Sequence, residues 1–270
     1  MFGSHISNNF HDDIILIHKA GGTLIQCFIT DPIKHKTIKL TNDDIQNIKQ
    51  HLHNNKIKMI IHAPYILNFA RDFKENVWWV RVLLRELEYA SLIGAKGSVI
   101  HFGKYLHLDK EDAIDNMIKS LKYIISNMPN DVYIYLETSC GQGSELGYKL
   151  EEFATIYNQF SNLEKERIKI CIDTCHIFVS GYDIRNPEGF DSFIQKFDKL
   201  IGIKYIKLIH LNDSLKQLDS HVDRHQIIGE GYIGLKGLKY VYNWATKKGL
   251  DIILETGGSF KEQKEKLIYE

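Results

Sequence analysis

Eight short runs of apolar, β-prone residues recur about every 30 to 40 residues along the chain, at 1–5, 23–28, 58–62, 97–101, 132–137, 168–173, 205–210 and 251–255. Longer stretches with helical periodicity separate them, at 42–54, 75–94, 110–127, 151–163 and 235–248, and Thr41 and Asp109 stand as capping residues. Strands that alternate with helices form a parallel sheet, since each helix carries the chain back to the end where the next strand starts. Eight repeats predict an α/β fold closed as a single (β/α)8 barrel. No Pro/Gly/Ser-rich linker divides the sequence, so 1–270 reads as one domain, and its length suits such a barrel.

Seven of the eight runs end in a residue able to bind a metal: His5, His62, His101, Glu137, Asp173, His210 and Glu255. In a barrel the C-terminal ends of all strands open on one face, so these side chains share a mouth. A single histidine at a strand end is ordinarily a hydrogen-bonded rim residue, and a single acid there is ordinarily a helix cap. Seven at once are poorly explained that way. A ring of buried acids repels itself, and a bound dication relieves that cost. The pattern predicts a metal cluster at the C-terminal face of the strands.

Two further groups follow strand ends. His176 comes three residues after Asp173, and Asp223 and His225 stand at i, i+2, a spacing that aims both side chains the same way in an extended segment. A mixed imidazole and carboxylate set suits zinc or manganese rather than magnesium. The number of donors exceeds what two tetrahedral ions need, which predicts up to three.

The stretch CIDTCH at 171–176 looks at first like a sulfur site. Cys171 falls inside an apolar strand, where a reduced cysteine is a small core residue, and Cys175 is nearer the mouth. Asp173 and His176 are therefore read as the working residues. The four cysteines contain no C-x-x-C pair and are too sparse for a disulfide framework, as expected of a reducing compartment. Neither a signal-peptide pattern nor a membrane-length apolar run is present, so an intracellular protein is expected, in the cytoplasm or wherever its substrate is kept. Lys plus Arg equals Asp plus Glu, 34 each, so any polyanion partner must be held by a local field.

With these residues in view, the sequence resembles the endonuclease IV family of apurinic/apyrimidinic (AP) endonucleases. The motifs run in order from end to end: GSHIS (3–7), IHAPY (61–65), IHFG (100–103), LETSCGQGSELG (136–147), CIDTCH (171–176), HLNDS (210–214), DRHQIIGEGYIG (223–234) and LET (254–256). The resemblance implies a TIM barrel with three zinc ions, manganese being an alternative at some positions. It implies that His62, His101 and Glu137 hold one ion, and that Glu137 bridges to a second held by Asp173, His210 and Glu255. His176, Asp223 and His225 would hold the third, and His5 would stand behind the ligands.

The implied reaction is hydrolysis of the phosphodiester 5′ to an abasic site in duplex DNA, with Glu137 and Glu255 as the catalytic carboxylates. Three dications against the four ligand carboxylates leave a formal charge of +2, which attracts a phosphate diester despite the neutral chain. A monomer is expected, with no membrane partner.

Tyr65 matches a tyrosine that the family inserts into DNA. Lys34, Lys104 and Arg224, on barrel-top loops, are further candidate DNA contacts.

Some positions depart from the family pattern. His101-Phe102-Gly103 replaces His-Pro-Gly and Leu136-Glu137-Thr138 replaces Leu-Glu-Asn, neither touching a ligand, and a glycine pair is missing around 8–10. The loop TDPIKHKT (30–37) lacks the arginine that the family places in the DNA stack, leaving Lys34 as a substitute. Two other readings stay open here: a sugar isomerase or epimerase, which needs only one or two ions, and a catalytically silent protein that shields abasic DNA.

Overall fold

The computed structural model describes residues 1–7, 10–33 and 39–269. Strands β1 (Phe2–His5), β2 (Leu24–Cys27), β3 (Lys58–His62), β4 (Gly97–Ile100), β5 (Tyr133–Glu137), β6 (Ile168–Asp173), β7 (Ile206–His210) and β10 (Asp251–Leu254) close into a parallel barrel, in the order β1-β10-β7-β6-β5-β4-β3-β2. The remaining strands, β8 (Asp213–Ser214) and β9 (His225–Gln226), pair antiparallel as a small ribbon over the mouth. The barrel follows the eight-run pattern of the sequence. Its seam is β1 against β10, where Phe2 pairs with Ile252. There the N-terminal amine lies 3.1 Å from Asp251 Oδ1 and Lys96 bonds the same carboxylate.

Helices α1 (Phe10–Lys19), α2 (Asn42–Asn54), α3 (Trp78–Ile93), α4 (Lys110–Asn127), α5 (Leu150–Tyr157), α6 (Asn162–Arg167), α7 (Thr174–Val179), α8 (Pro187–Leu200), α9 (Gly234–Lys247) and α10 (Phe260–Tyr269) complete the fold. The helices expected at 42–54 and 110–127 are found with those bounds. Thr41 makes a full capping box with Asp44. Asp109 occupies the cap position of α4 without bonding through its side chain. The helix expected over 151–163 is instead two, because Ser161 opens α6 with its own capping box to Glu164.

Side chains two residues apart share a strand face, so the barrel interior fills in layers. One layer is apolar and separate from the main core: Leu24, Ile60, Val99, Tyr135, Cys171, Leu208 and Ile253, all buried. The sheet's outer face packs on the helices in a second, larger core that includes Ile25, Ile61, Leu136, Ile172 and Ile209. No described helix is long and apolar enough to cross a membrane.

Candidate metal centre

One step up each strand from the apolar layer, the inward positions turn polar: Gln26, His62, His101, Glu137, Asp173, His210 and Glu255. Six of these are the strand-end ligands expected from sequence. Together with His176, Asp223 and His225, they supply donor atoms in three groups, each within reach of one ion: His62, His101 and Glu137; Glu137, Asp173, His210 and Glu255; and His176, Asp223 and His225. Glu137 belongs to two of them. Its Oε2 lies 3.5 Å from His62 Nε2 and 3.1 Å from His101 Nε2, while Oε1 lies 2.7 Å from His210 Nδ1. In the third group Asp223 Oδ2 is 3.2 Å from His176 Nε2, and Asp223 Oδ1 is 3.2 Å from His225 Nε2. Asp173 Oδ2, at 3.5 Å from His225 Nε2, joins the second group to the third.

The ring nitrogens that face away from the cluster are already spoken for. His62 Nδ1 bonds Ala63 O at 2.8 Å, His176 Nδ1 bonds Thr138 O at 2.8 Å, and His210 Nε2 bonds Gln26 Oε1 at 2.8 Å. Each bond fixes a tautomer that leaves the other nitrogen as a lone pair facing inward, the arrangement a metal-binding histidine requires. Glu137 Oε2, His176 Nε2 and His225 Nε2 are buried atoms with no hydrogen-bond partner, and all three face the cluster. Unpaired buried polar atoms are costly, and ions in the groups to which they belong would satisfy all three. The donor set therefore fits divalent ions that accept both nitrogen and oxygen.

The electrostatics fit as well. Burial pushes the Glu137 carboxyl up, but His210 and His101 outweigh it and hold its pKa well below the ordinary range. Glu255 is likewise buried, and His210 again pulls it well below. His225 is lowered by burial but raised more by Asp173 and Asp223, ending at about 9. His176 is raised well above its ordinary value by the same acids against burial. Asp173 is pushed up by burial, more than its histidine neighbours offset. Where no ion is bound, protons at the inward nitrogens of His176 and His225 balance these acids, and a bound ion would displace those protons and take up the lone pairs.

Several residues with no metal-ligand signature in the sequence shape the centre. Gln26, fully buried on β2, donates to Glu255 Oε1 at 2.6 Å while accepting from His210. Asn212 donates to Asp173 Oδ2 at 2.6 Å and to Glu255 Oε2 at 3.1 Å, and its Oδ1 accepts from Glu255 N at 2.8 Å. Thr138, whose substitution was expected to touch no ligand, touches two: its carbonyl accepts from His176 and its Oγ1 accepts from Asp173 N at 3.0 Å. The expectation failed because it considered only which positions are ligands, not which backbone groups orient them. Signals for the others existed: one amide inside the run LIQCFI, and an asparagine two residues after His210.

His5 lies 3.1 Å from Gln26 Nε2 and 3.7 Å from Glu255 Oε1. Both thiols of CIDTCH come within ligand reach, Cys171 beside Glu137 and His210, and Cys175 beside Asp173 and His225. Burial pushes Cys171 up to about 12 and raises Cys175 as well, which keeps both protonated and poor as ligands.

A cavity of about 640 Å³ opens beside the centre, lined among others by His101, Asp223 and His225. Three of the four candidate DNA contacts line it: Tyr65, Lys104 and Arg224. Tyr65 is 59% exposed, and its ring meets His62 edge-on with centroids 5.6 Å apart, so it stands over the centre with a free face. Lys104 Nζ is 3.3 Å from Glu145 Oε1, and Arg224 Nη1 donates to Asp223 O at 2.6 Å. Lys34 lies outside the described residues, as do Asn8 and Asn9, where the glycine pair is missing.

The family described as xylose isomerase-like TIM barrel matches residues 14–267. A protein of Acanthamoeba polyphaga mimivirus assigned as an endonuclease 4 is 35% identical over 259 residues, 93% of this chain and 83% of that one. A probable endonuclease 4 of Staphylococcus saprophyticus is 34% identical, covering 98% of this chain and 90% of its own. Among solved structures, endonuclease IV from Thermus thermophilus superposes with a TM-score of 0.81 at 26% identity, covering 98% of this chain and 96% of that one.

Proposed function

The chain belongs to the endonuclease IV family of AP endonucleases, and from that premise we propose that it hydrolyses the phosphodiester 5′ to an abasic site in duplex DNA, using three zinc ions. It is a metal-dependent endonuclease of DNA repair. The products are a 3′-hydroxyl and a 5′-deoxyribose phosphate. The observation that carries the reading is the convergence of nine side chains in three donor groups, with the inward nitrogens of His62, His176 and His210 preset by bonds on the far side of each ring.

Zinc bound in these groups supplies Lewis acidity, lowering the pKa of water to about 7 and offsetting charge on phosphate oxygens. Glu137 acts as a strut: its two oxygens face different groups and so set their spacing. Glu255 is held on both oxygens, by Gln26 on one and Asn212 on the other, and it stays charged. It orients the attacking water and takes its proton. His176, Asp223 and His225, on the opposite side of Asp173, would hold a further ion, whose positive charge would offset the negative charge that develops on the leaving 3′ oxygen.

Selection of the lesion begins with cost. A nucleotide without a base gives up no stacking when it swings out of the helix, so it enters the cavity more cheaply than an intact one. Tyr65 offers the neighbouring bases an exposed ring beside the centre.

The test is a duplex carrying one tetrahydrofuran, an abasic analogue immune to β-elimination. Incision that stops on chelation and leaves an end that a polymerase extends is the expected result. An end that cannot be extended rules out the stated products, and failure to incise with three zinc ions bound rules out the reaction.

A further inference from the structure

Three Lys or Arg side chains line the cavity beside the centre, and two of them are engaged. Lys104 pairs with Glu145, and Arg224 bonds the carbonyl of Asp223. The third, Arg71, was not singled out by the sequence. Its exposed guanidinium has no carboxylate partner among the described residues, and its one partner there is the ring of Trp79, 5.2 Å from the centroid. A cation–π contact limits where the group can swing without using up its N–H donors.

The backbone beneath Arg71 is pinned on both sides. Asn68 clamps residues 66–73 to the loop after β4, donating to Lys104 O at 2.8 Å while its Oδ1 accepts from Lys104 N at 3.0 Å and Ala70 N at 3.1 Å. Phe69 is buried, and its carbonyl accepts from Ser120 Oγ of α4 at 3.0 Å. Two residues beyond Arg71, Phe73 N donates to Asn116 of the same helix at 3.3 Å. Arg71 also lines a smaller adjoining cavity of about 140 Å³ with Trp79 and Leu106, which places it on the wall between the two. A cation held on a rigid loop, unpaired and facing the substrate cavity, has the properties of an anion seat.

We propose that Arg71, held over the Trp79 ring on a loop fixed by the Asn68 clamp, binds a DNA backbone phosphate flanking the scissile one. This rests on the proposed incision of abasic DNA. Arg71 is then a positioning residue: it touches the polymer, not the reacting atoms.

The experiment measures incision of the tetrahydrofuran duplex across a series of KCl concentrations by wild-type protein, Arg71→Gln and Arg71→Lys, each checked for melting temperature and zinc content. Loss of one charged phosphate contact raises KM about tenfold in Arg71→Gln, with kcat nearly unchanged. The same loss makes the plot of log(kcat/KM) against log[KCl] shallower by about 0.9. Arg71→Lys keeps the wild-type slope, since charge alone sets that quantity. Unchanged KM and slope in Arg71→Gln overturn the proposal, and so does a lowered melting temperature with the slope intact, which marks a purely structural role through Trp79. Failure of the wild type to incise defeats the endonuclease reading itself, whereas wild-type incision that Arg71→Gln matches defeats only the phosphate seat.

Discussion

Two layers of side chains lie inside the barrel, one step apart on the same strands, and they do opposite work. The lower holds Leu24, Ile60, Val99, Tyr135, Cys171, Leu208 and Ile253; two residues further along each strand stand Gln26, His62, His101, Glu137, Asp173, His210 and Glu255. The backbone geometry is shared, so only the side chains decide which layer drives folding by burial and which collects charge. The apolar layer gains from leaving water, whereas the polar layer is costly until each group finds a partner. The barrel can therefore carry an expensive site because its adhesion lies one step below.

The largest effect that tests this division is expected at the shared ligand. Glu137→Gln should cut the incision rate by more than about 100-fold, beyond what loss of a supporting hydrogen bond costs. Circular dichroism and the melting curve should stay near those of the wild type; collapse of the fold would show that the two layers cannot be separated.

Leu208→Ala addresses the lower layer. It should cost about 2–5 kcal/mol in urea unfolding, from lost burial and the cavity left behind, without changing incision per folded molecule. A full-stability variant with poor activity would break the comparison from the other side.

A smaller effect is expected from Gln26→Leu, which keeps the ligands but frees His210 and Glu255 to turn. Metal affinity should fall about 10–100-fold, read by competition with a zinc chelator. Equal affinity would mean that packing alone orients these ligands.

The mildest test is pH. In the metal-free protein the His225 pKa is raised from 6.5 to about 9 by Asp173 and Asp223 against burial. Its ion-pairing contribution to folding is fully present below pH 6.5 and is lost as pH climbs through about 9. Zinc binding must expel the proton, so affinity should rise with pH over the same window. Melting of the chelated protein at stepped pH, paired with calorimetry in buffers of different ionisation heat, reads both. A metal-free melting temperature that rises between pH 6.5 and 9 contradicts the sign.

The barrel and the clustering of candidate donors were legible because both are written in residue type. Apolar runs end in His, Asp or Glu, and in a barrel those ends meet. What escaped was of three kinds. Gln26 and Asn212 are amides, silent in a search for ligands although they aim three of them. The carbonyls of Ala63 and Thr138 belong to the backbone, which no side-chain pattern reports. Arg71 stands out only after its neighbours' partners are known. The break between α5 and α6 was legible and passed over, since Ser161 and Glu164 spell a capping box inside an otherwise helical pattern.

The third donor group differs in origin from the other two. Asp223 and His225 sit on a loop above the barrel, not on its strands, and that loop is gathered by one buried residue. Asp213 accepts from the backbone N–H of Ser214, Gly229, Gly231, Ile233 and Gly234 at 2.8–3.3 Å. Gly231 must be glycine, because a Cβ there would lie 2.4 Å from Ser214 O and 2.5 Å from Asp213 Oδ1. The centre is therefore expected to load in order. Two groups are complete once the strands register, and the third waits for a loop to wind around a single carboxylate, so it should be the last to fill and the first to empty under a chelator.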